Sequence, residues 1–197
     1  MARSKINFAC PVILASASPR RKELLTGMGI DFTVVPAEVD ELVPSDGHSA
    51  WETVLRNAEM KAEAVAVLHP EALVIGSDTV VVCGGRIFGK PADRNEAAAM
   101  LGTLSGREHQ VLTGVALRLK GKALERSFVE TSIVRFKVLS EAVIREYMSR
   151  VNVMDKAGAY AIQEHGELIL ERLDGSFSNV IGLPVERLTE ELRGLKI

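Results

Sequence analysis

The segment from Ile13 to Leu25, ILASASPRRKELL, joins the end of an apolar strand to the start of a helix within a few residues. Ser18 belongs to the residue types preferred just before a helix, and Pro19 suits the first helical position because its missing N–H would have no partner there. A helix is therefore predicted to begin at Pro19 and to end at Gly29, where glycine permits a left-handed stop.

The first turn of this predicted helix carries three cations, Arg20, Arg21 and Lys22. The helix dipole makes that end positive, so each exposed cation costs about 0.3 to 1 kcal/mol there. A bound phosphate would reverse the sign of this penalty, since helix N-termini with nearby Arg or Lys bind anions. The segment favours a phosphate site, and the structural alternative is a set of solvated cations paired with an acid such as Glu23.

Apolar periodicity and turn residues divide the rest of the chain into helices and hairpins. We predict strands at 32–35, 73–83, 86–88, 109–119, 125–138 and 168–173, and helices at 50–68, 93–104, 140–148 and from residue 184. On the helix at 50–68, Trp51, Val54 and Ala58 belong to the apolar stripe, whereas Asn57 and Lys61 are assigned to the polar face. The mixture predicts an α/β fold with a mixed sheet rather than a strict βαβ repeat.

Composition limits the functional classes. The 197 residues suffice for a sizeable core, and we expect a single domain spanning 1–197. A net charge of -2 argues against nucleic acid as a partner, and the absence of an apolar run of about eighteen residues argues against a membrane span. We therefore expect a cytoplasmic protein. Cys10 and Cys83 lack metal-binding spacing and are interpreted as reduced and structural.

Asp78 interrupts the otherwise apolar strand at 73–83, two residues after Gly76. A bare carboxylate would be costly to bury there, so we expect it to meet a metal, a cation or a proton. Gly76 would let a ligand approach the backbone closely, and Ser77 and Thr79 could supply hydroxyl groups beside it. The structural alternative is that Asp78 turns the chain or accepts hydrogen bonds from backbone amides.

Other polar residues carry weaker signals. Asp40 and Glu41 could coordinate a divalent ion together with substrate phosphates, although acids in a loop more often serve solubility alone. Lys90 could reach Asp78 or a phosphate, but an exposed loop lysine is the commoner case. His109 has neither a serine-nucleophile motif nor a second histidine at metal-binding spacing, so we interpret it as structural. P-loop and dinucleotide glycine motifs are missing from the sequence.

Several motifs, in order along nearly the whole chain, resemble those of the Maf family of nucleotide pyrophosphatases. They are SASPRRKELL, the Asp40 and Glu41 pair, RNAEMKA, GSDTVV, GKP, LSGREHQVLTGV, DKAGAYAIQ and GSFSNVIGLP. The resemblance implies an elongated α/β fold, with a mixed sheet flanked by helices and two lobes around a central cleft, often as a homodimer. It also implies metal-dependent cleavage of a nucleoside triphosphate to the monophosphate and pyrophosphate.

The resemblance further implies roles for individual residues. Asp78 matches the proposed catalytic base of the family, and it would bind Mg²⁺ or Mn²⁺ together with Glu41. The positions that match phosphate-binding residues are Ser16, Arg21, Lys61 and Lys90.

Arg20, Thr79 and Gln163 occupy the positions that sort the family into subgroups, and there the chain resembles the dTTP/UTP type. The type that acts on methylated GTP has an aromatic residue, Gln and Glu at these places. A Gln amide, with one acceptor and one donor, matches the edge of uracil or thymine, whereas the two adjacent donors of guanine suit a carboxylate. Hydrolysis of dTTP and UTP, with Gln163 contacting the base, is the expected activity.

Two alternatives remain open from the sequence. The chain could be a nucleotide-binding regulator of cell division whose enzymatic activity is incidental, and only metal-dependent turnover would separate this from an enzyme. It could also act on another substrate, either methylated GTP or a modified pyrimidine nucleotide. Arg20, Thr79 and Gln163 argue against the first of these substrates and do not distinguish the second from normal nucleotides.

Overall fold

Seven strands and six α-helices follow one another in the computed structural model, which describes residues 8–43 and 47–195. The strands are β1 (Val12–Leu14), β2 (Thr33–Val34), β3 (Leu73–Cys83), β4 (Arg86–Phe88), β5 (Glu108–Leu119), β6 (Leu124–Phe136) and β7 (Leu170–Asp174). The helices are α1 (Pro19–Gly27), α2 (Ala50–Ala66), α3 (Arg94–Leu104), α4 (Glu141–Arg150), α5 (Phe177–Ile181) and α6 (Val185–Arg193). None of the helices among these residues combines the length and apolarity that crossing a membrane requires.

The strands form one mixed sheet in the order β2-β1-β3-β5-β6-β7, with β4 paired to the far end of β3. The predicted hairpins and the α/β class with a mixed sheet flanked by helices are confirmed. Capping explains most helix starts: Ser18, Asp93 and Ser140 each accept a hydrogen bond from a backbone N–H in the first turn. The short helix α5, capped by Ser176, was not predicted from the sequence.

The three long strands β3, β5 and β6 run through both halves of the molecule. One apolar cluster surrounds the end of β3 at Val81 and Cys83 and includes α3 and α4. A second cluster surrounds the start of β3 at Leu73 and Ile75 and includes α1 and α6. The middle of these strands, between the two clusters, is therefore the region that remains for a cleft.

A gap in strand pairing opens one edge of β3 in this middle region. β1 pairs with Leu73–Ile75 and β4 pairs with Val81–Cys83. Among the described residues, no strand pairs with the intervening 76–80 on that side. Successive side chains of a strand point to opposite faces, so both faces of β3 can be reached from this gap.

Helix α2 covers one face of the sheet at close range, because two glycines lie beneath it. A Cβ atom at Gly76 would lie 2.8 Å from the backbone N of Ala62 and would also collide with the carbonyl oxygen of Ala58. A Cβ atom at Gly114, on the neighbouring strand, would collide with the carbonyl oxygen of Val54. The expectation that Gly76 admits a ligand is thus wrong, since it is a helix that approaches the backbone there.

The assignment of faces on α2 also needs correction. Trp51, predicted on the apolar stripe, is 51% exposed. Asn57 and Lys61, assigned to the polar face, are buried next to that stripe. The reason is that the sheet beneath α2 offers a buried carboxylate, which stabilises polar partners that would otherwise remain in water.

His109, at the start of β5, is buried in an aromatic cluster. Its ring makes edge-to-face contacts with Phe136 and Tyr160, and its Nε2 lies 2.9 Å from the Tyr160 hydroxyl. Burial lowers the pKa of His109 from 6.5 to about 4. The neutral imidazole is therefore the form that the folded chain accommodates, in agreement with a structural role.

This shift predicts a pH-dependent stability. Between pH 4 and 6.5 the unfolded chain binds more protons at His109 than the folded chain does. The contribution of the neutral His109 to the free energy of unfolding is complete above pH 6.5 and is lost as the pH falls towards 4. We expect the free energy of unfolding to fall more steeply in this window for the wild type than for His109→Gln, by at most about 1.4 kcal/mol per pH unit. Urea unfolding at stepped pH measures both slopes, and equal slopes would contradict the prediction.

Candidate functional site

A cleft of about 530 Å³ lies beside the gap in strand pairing on β3. Its lining includes Ser16, Arg20, Arg21, Glu41, Lys61, Asp78, Thr79, Lys90 and Gln163. The structure thus places in one cleft every residue that the family resemblance implies for the site. Their individual roles stay predictions.

Asp78 is held at the α2 face of β3 by two side chains. Its Oδ1 accepts a hydrogen bond of 2.9 Å from Nζ of Lys61, and its Oδ2 accepts one of 2.9 Å from Nδ2 of Asn57. The Lys61 ammonium also lies 2.9 Å from a carboxylate oxygen of Glu41. One buried cation therefore serves two carboxylates, and the structural alternative for Asp78, bonding to backbone amides or turning the chain, is not what the structure shows.

Arg21 enters the cleft from the first turn of α1. Its guanidinium donates hydrogen bonds to the carbonyl oxygen of Gly182, to Oγ of Ser16 and to Oγ1 of Thr79, at 2.9 to 3.2 Å. Burial lowers the pKa of Arg21, and the charge of Asp78 acts in the opposite direction. All three acceptors are uncharged, so an anion in the cleft would supply the countercharge that Arg21 lacks in these contacts.

Two hydroxyl groups beside Arg21 have opposite hydrogen-bonding capacity. Oγ of Ser16 accepts from the backbone N of Ser18 and from Arg21, so its own proton can be donated to a ligand. The Thr113 hydroxyl donates to the carbonyl oxygen of Asn179, and the 3.0 Å contact between the Thr113 and Thr79 hydroxyls therefore uses the proton of Thr79. Thr79 consequently presents an acceptor to the cleft, whereas Ser16 presents a donor.

Arg20 does not point into solvent and does not pair with Glu23. It bonds to a carboxylate oxygen of Asp155 at 2.9 Å and to the backbone carbonyl of Asp155 at 3.1 Å. Partial burial raises the pKa of Asp155. The hydrogen bonds and positive charges of Lys156 and Arg20 lower this pKa by a larger amount, so it lies below its usual value. This ion pair ties the start of α1 to the segment that carries Gln163.

The remaining predicted cations differ in position. Lys90 is exposed and lines the cleft after β4. Lys22 is also exposed but is not part of the described cleft lining. The phosphate hypothesis for the start of α1 therefore applies to Arg21, whose acceptors are uncharged, whereas the charge of Arg20 is already compensated by Asp155.

Sequence reasoning missed several residues that shape the cleft. Asn57, Thr113 and Asp155 hold Asp78, Thr79 and Arg20, respectively, by side-chain hydrogen bonds. Asn57 had a detectable signal, because Thr53, Asn57 and Lys61 recur every four residues and form a polar stripe that borders the apolar stripe of α2. Thr113 and Asp155 had none, since their partners lie far away in sequence.

Two acidic residues of the cleft, Glu41 and Asp78, have the chemistry of metal ligands. Among the described residues, no group of three or more His, Cys, Asp or Glu side chains is placed to hold an ion. Glu41 and Asp78 nevertheless converge on the same ammonium group, each at 2.9 Å from Nζ of Lys61. Two carboxylates suit Mg²⁺ or Mn²⁺ when phosphate oxygens and water complete the shell. The donor set fits a metal that binds together with its substrate.

Comparisons with known proteins find related sequences along nearly the whole chain. Residues 11–195 match a family model described as Maf-like protein. The chain is 47% identical over 184 residues to a dTTP/UTP pyrophosphatase of Syntrophus aciditrophicus, covering 93% of this chain and 89% of the relative. It is 48% identical to the protein of the same name from Akkermansia muciniphila, covering 94% and 96%, and 50% identical to that from Symbiobacterium thermophilum, covering 92% of each chain.

Proposed function

Because the chain belongs to the Maf-like family, we propose that its cleft hydrolyses dTTP and UTP to the nucleoside monophosphate and pyrophosphate. Support comes from the relatives named dTTP/UTP pyrophosphatase, which align over more than nine tenths of the chain. The observation that carries the proposal is the buried Asp78 carboxylate, held by Lys61 in the same cleft as Arg21, whose contacts are all uncharged. In this cleft, Asp78 is placed to act as a base on a water molecule, and Arg21 is placed to bind a phosphate group.

In the proposed reaction, Asp78 orients a water molecule and accepts its proton as the water attacks the α-phosphorus. Lys61 keeps the carboxylate fixed, because its ammonium bonds Oδ1 at 2.9 Å. Arg21 and Ser16 bind phosphate oxygens through a guanidinium and a hydroxyl proton, and the exposed Lys90 in the cleft lining supplies a further cation for phosphate. Positioning and charge neutralisation provide most of the acceleration in such transfers.

Glu41 and Asp78 would hold Mg²⁺ or Mn²⁺ together with substrate phosphates. When bound, the metal supplies charge neutralisation on the phosphate oxygens. Both carboxylates already share the Lys61 ammonium, so the chain compensates part of their negative charge before any metal arrives. The acidic pair therefore remains compatible with folding in the absence of metal.

The direct test is turnover. The purified protein is incubated with a panel of nucleoside triphosphates in Mg²⁺, in Mn²⁺ or in EDTA, and monophosphate and pyrophosphate are quantified by chromatography. We expect cleavage of dTTP and UTP above the purine nucleotides, and loss of cleavage in EDTA. Nucleotide binding without turnover in any metal would reject the enzyme and favour the regulator of cell division.

Gln163 gives a test of base selectivity. It is exposed and lines the cleft, in the segment that Asp155 ties to Arg20. We expect Gln163→Glu to lower the ratio of kcat/KM for UTP over GTP by about 10- to 100-fold, because a carboxylate loses the donor that a uracil carbonyl needs. Kinetics on both nucleotides measure the ratio, and an unchanged substrate ranking would remove Gln163 from base recognition.

Composition leads us to expect one domain and a cytoplasmic location, and the family resemblance implies a dimer. We propose a single functional domain over 1–197, a cytoplasmic location and a homodimer. Modified pyrimidine nucleotides are a further proposed substrate class, because Gln163 contacts would be shared by any base that retains the uracil edge. Including 5-substituted dUTP analogues in the nucleotide panel addresses this class directly.

A further inference from the structure

We propose that Asn57 is a positioning residue that fastens the segment carrying Glu41 to the Asp78 carboxylate. The inference rests on the proposed function for its catalytic consequence, but its structural part can be tested separately. Asn57 lies on α2 and is only 2% exposed. Its side chain makes three hydrogen bonds, two with the backbone of Leu42 and one with Asp78.

The two bonds to Leu42 resemble the pairing of one strand residue with another. Oδ1 of Asn57 accepts from the Leu42 N–H at 2.8 Å, and Nδ2 donates to the Leu42 carbonyl at 3.1 Å. Residues 36–43 contain neither helix nor strand, so their position depends on individual anchors of this kind. Leu42 follows Glu41 directly, and fixing its backbone fixes the origin of the Glu41 side chain.

The third bond joins this anchor to the reacting group. Nδ2 of Asn57 has two protons, one directed to Leu42 and the other to Oδ2 of Asp78 at 2.9 Å. Both donors are used, so the amide has one orientation. With Lys61 on Oδ1, the Asp78 carboxylate is held at both oxygens and cannot rotate without breaking a bond.

This chemistry is specific to an amide. Aspartate at position 57 could accept from the Leu42 N–H but could donate to neither the Leu42 carbonyl nor Asp78. A small apolar residue could make none of the three bonds. Asparagine is a poor helix former and is costly to bury unpaired, so its place on the buried side of α2 is explained by these contacts.

The experiment compares Asn57→Ala with Asn57→Asp in the full chain. Hydrogen exchange at the Leu42 amide reports the anchor, and kcat and KM for dTTP report the reaction. For Asn57→Ala we expect Leu42 exchange to accelerate at least about tenfold and kcat to fall about 10- to 100-fold, with a smaller change in KM. For Asn57→Asp we expect Leu42 to keep most of its protection while kcat falls similarly, because Asp78 loses a donor and gains a like charge.

Val65→Ala is the matched control for a loss of stability. Val65 lies two turns further along α2, buried beside Ala72 and Val74 and away from the cleft lining. We expect this variant to lower Tm while leaving Leu42 exchange and kcat unchanged. Unchanged Leu42 exchange in Asn57→Ala would overturn the anchor, as would equal effects in Val65→Ala. An inactive wild type would reject the proposed function, whereas Leu42 exchange would still decide whether the anchor exists.

Discussion

Replacing Asp78 by asparagine is expected to reduce turnover of dTTP and UTP by about 10²- to 10⁴-fold, the contribution typical of a positioned general base. The amide cannot accept the proton of the attacking water. Folding should survive, because Lys61 keeps its 2.9 Å contact with Glu41 and is not left as an uncompensated buried cation. One hydrogen bond is lost, since an amide cannot accept from both Lys61 and Asn57, and this costs about 1 kcal/mol.

The measurement is kcat for dTTP, with circular dichroism and thermal unfolding as checks of folding. Asp174→Asn is the matched control, because Asp174 lies exposed on β7 and pairs with Arg172, outside the described cleft lining. We expect the control to retain wild-type turnover. Near-wild-type turnover of Asp78→Asn itself would exclude Asp78 as the base.

Gly76→Ala is expected to damage both stability and activity, because the added methyl group has no space. It would lie 2.8 Å from the backbone N of Ala62 and would collide with the Ala58 carbonyl, so α2 must move away from β3. Overpacking of this kind costs about 1–3 kcal/mol, and each kcal/mol lowers Tm by about 2–4 °C in a chain of this size. The same movement draws Lys61 away from Asp78, and a misplacement of about 1 Å can reduce kcat about 10²-fold.

Gly102→Ala provides the control, since it makes the same chemical change on an open surface. Gly102 lies on the exposed side of α3, and a Cβ atom there would meet nothing within 4 Å. Alanine is the better helix former, so this variant should gain about 0.5–1 kcal/mol of stability and keep full activity. Thermal unfolding and kcat are measured for both variants, and a Gly76→Ala protein that matches the wild type in Tm would refute the packing argument.

The sequence predicted the helices and long strands well because their signals are local. Pro19 after Ser18 marks a helix start in any context, since capping involves only neighbouring residues. Gly84 and Gly85 mark the turn of the first hairpin for the same reason, as both adopt positive φ. The short helix α5 was missed because five residues carry too little periodicity to be recognised.

The site was predicted in part. Asp78 was identifiable because a carboxylate within an apolar strand must have a partner, and the structure supplies that partner as Lys61. The role of Gly76 was predicted wrongly, because a glycine that admits a ligand and a glycine that admits a helix look the same in a sequence. Only the packed structure shows the backbone of α2 above it.

The sequence by itself determined the longer helices and strands, the class of fold and the one carboxylate within an apolar strand that had to be compensated, since these follow from local hydrogen bonding, periodicity and desolvation. The tertiary structure alone decided that Lys61 and Asn57 are buried on Asp78. It also decided that Arg20 pairs with Asp155, 135 residues away in the chain. These contacts depend on how the elements pack across the gap on β3, and packing is a property of distant surfaces that no local pattern encodes.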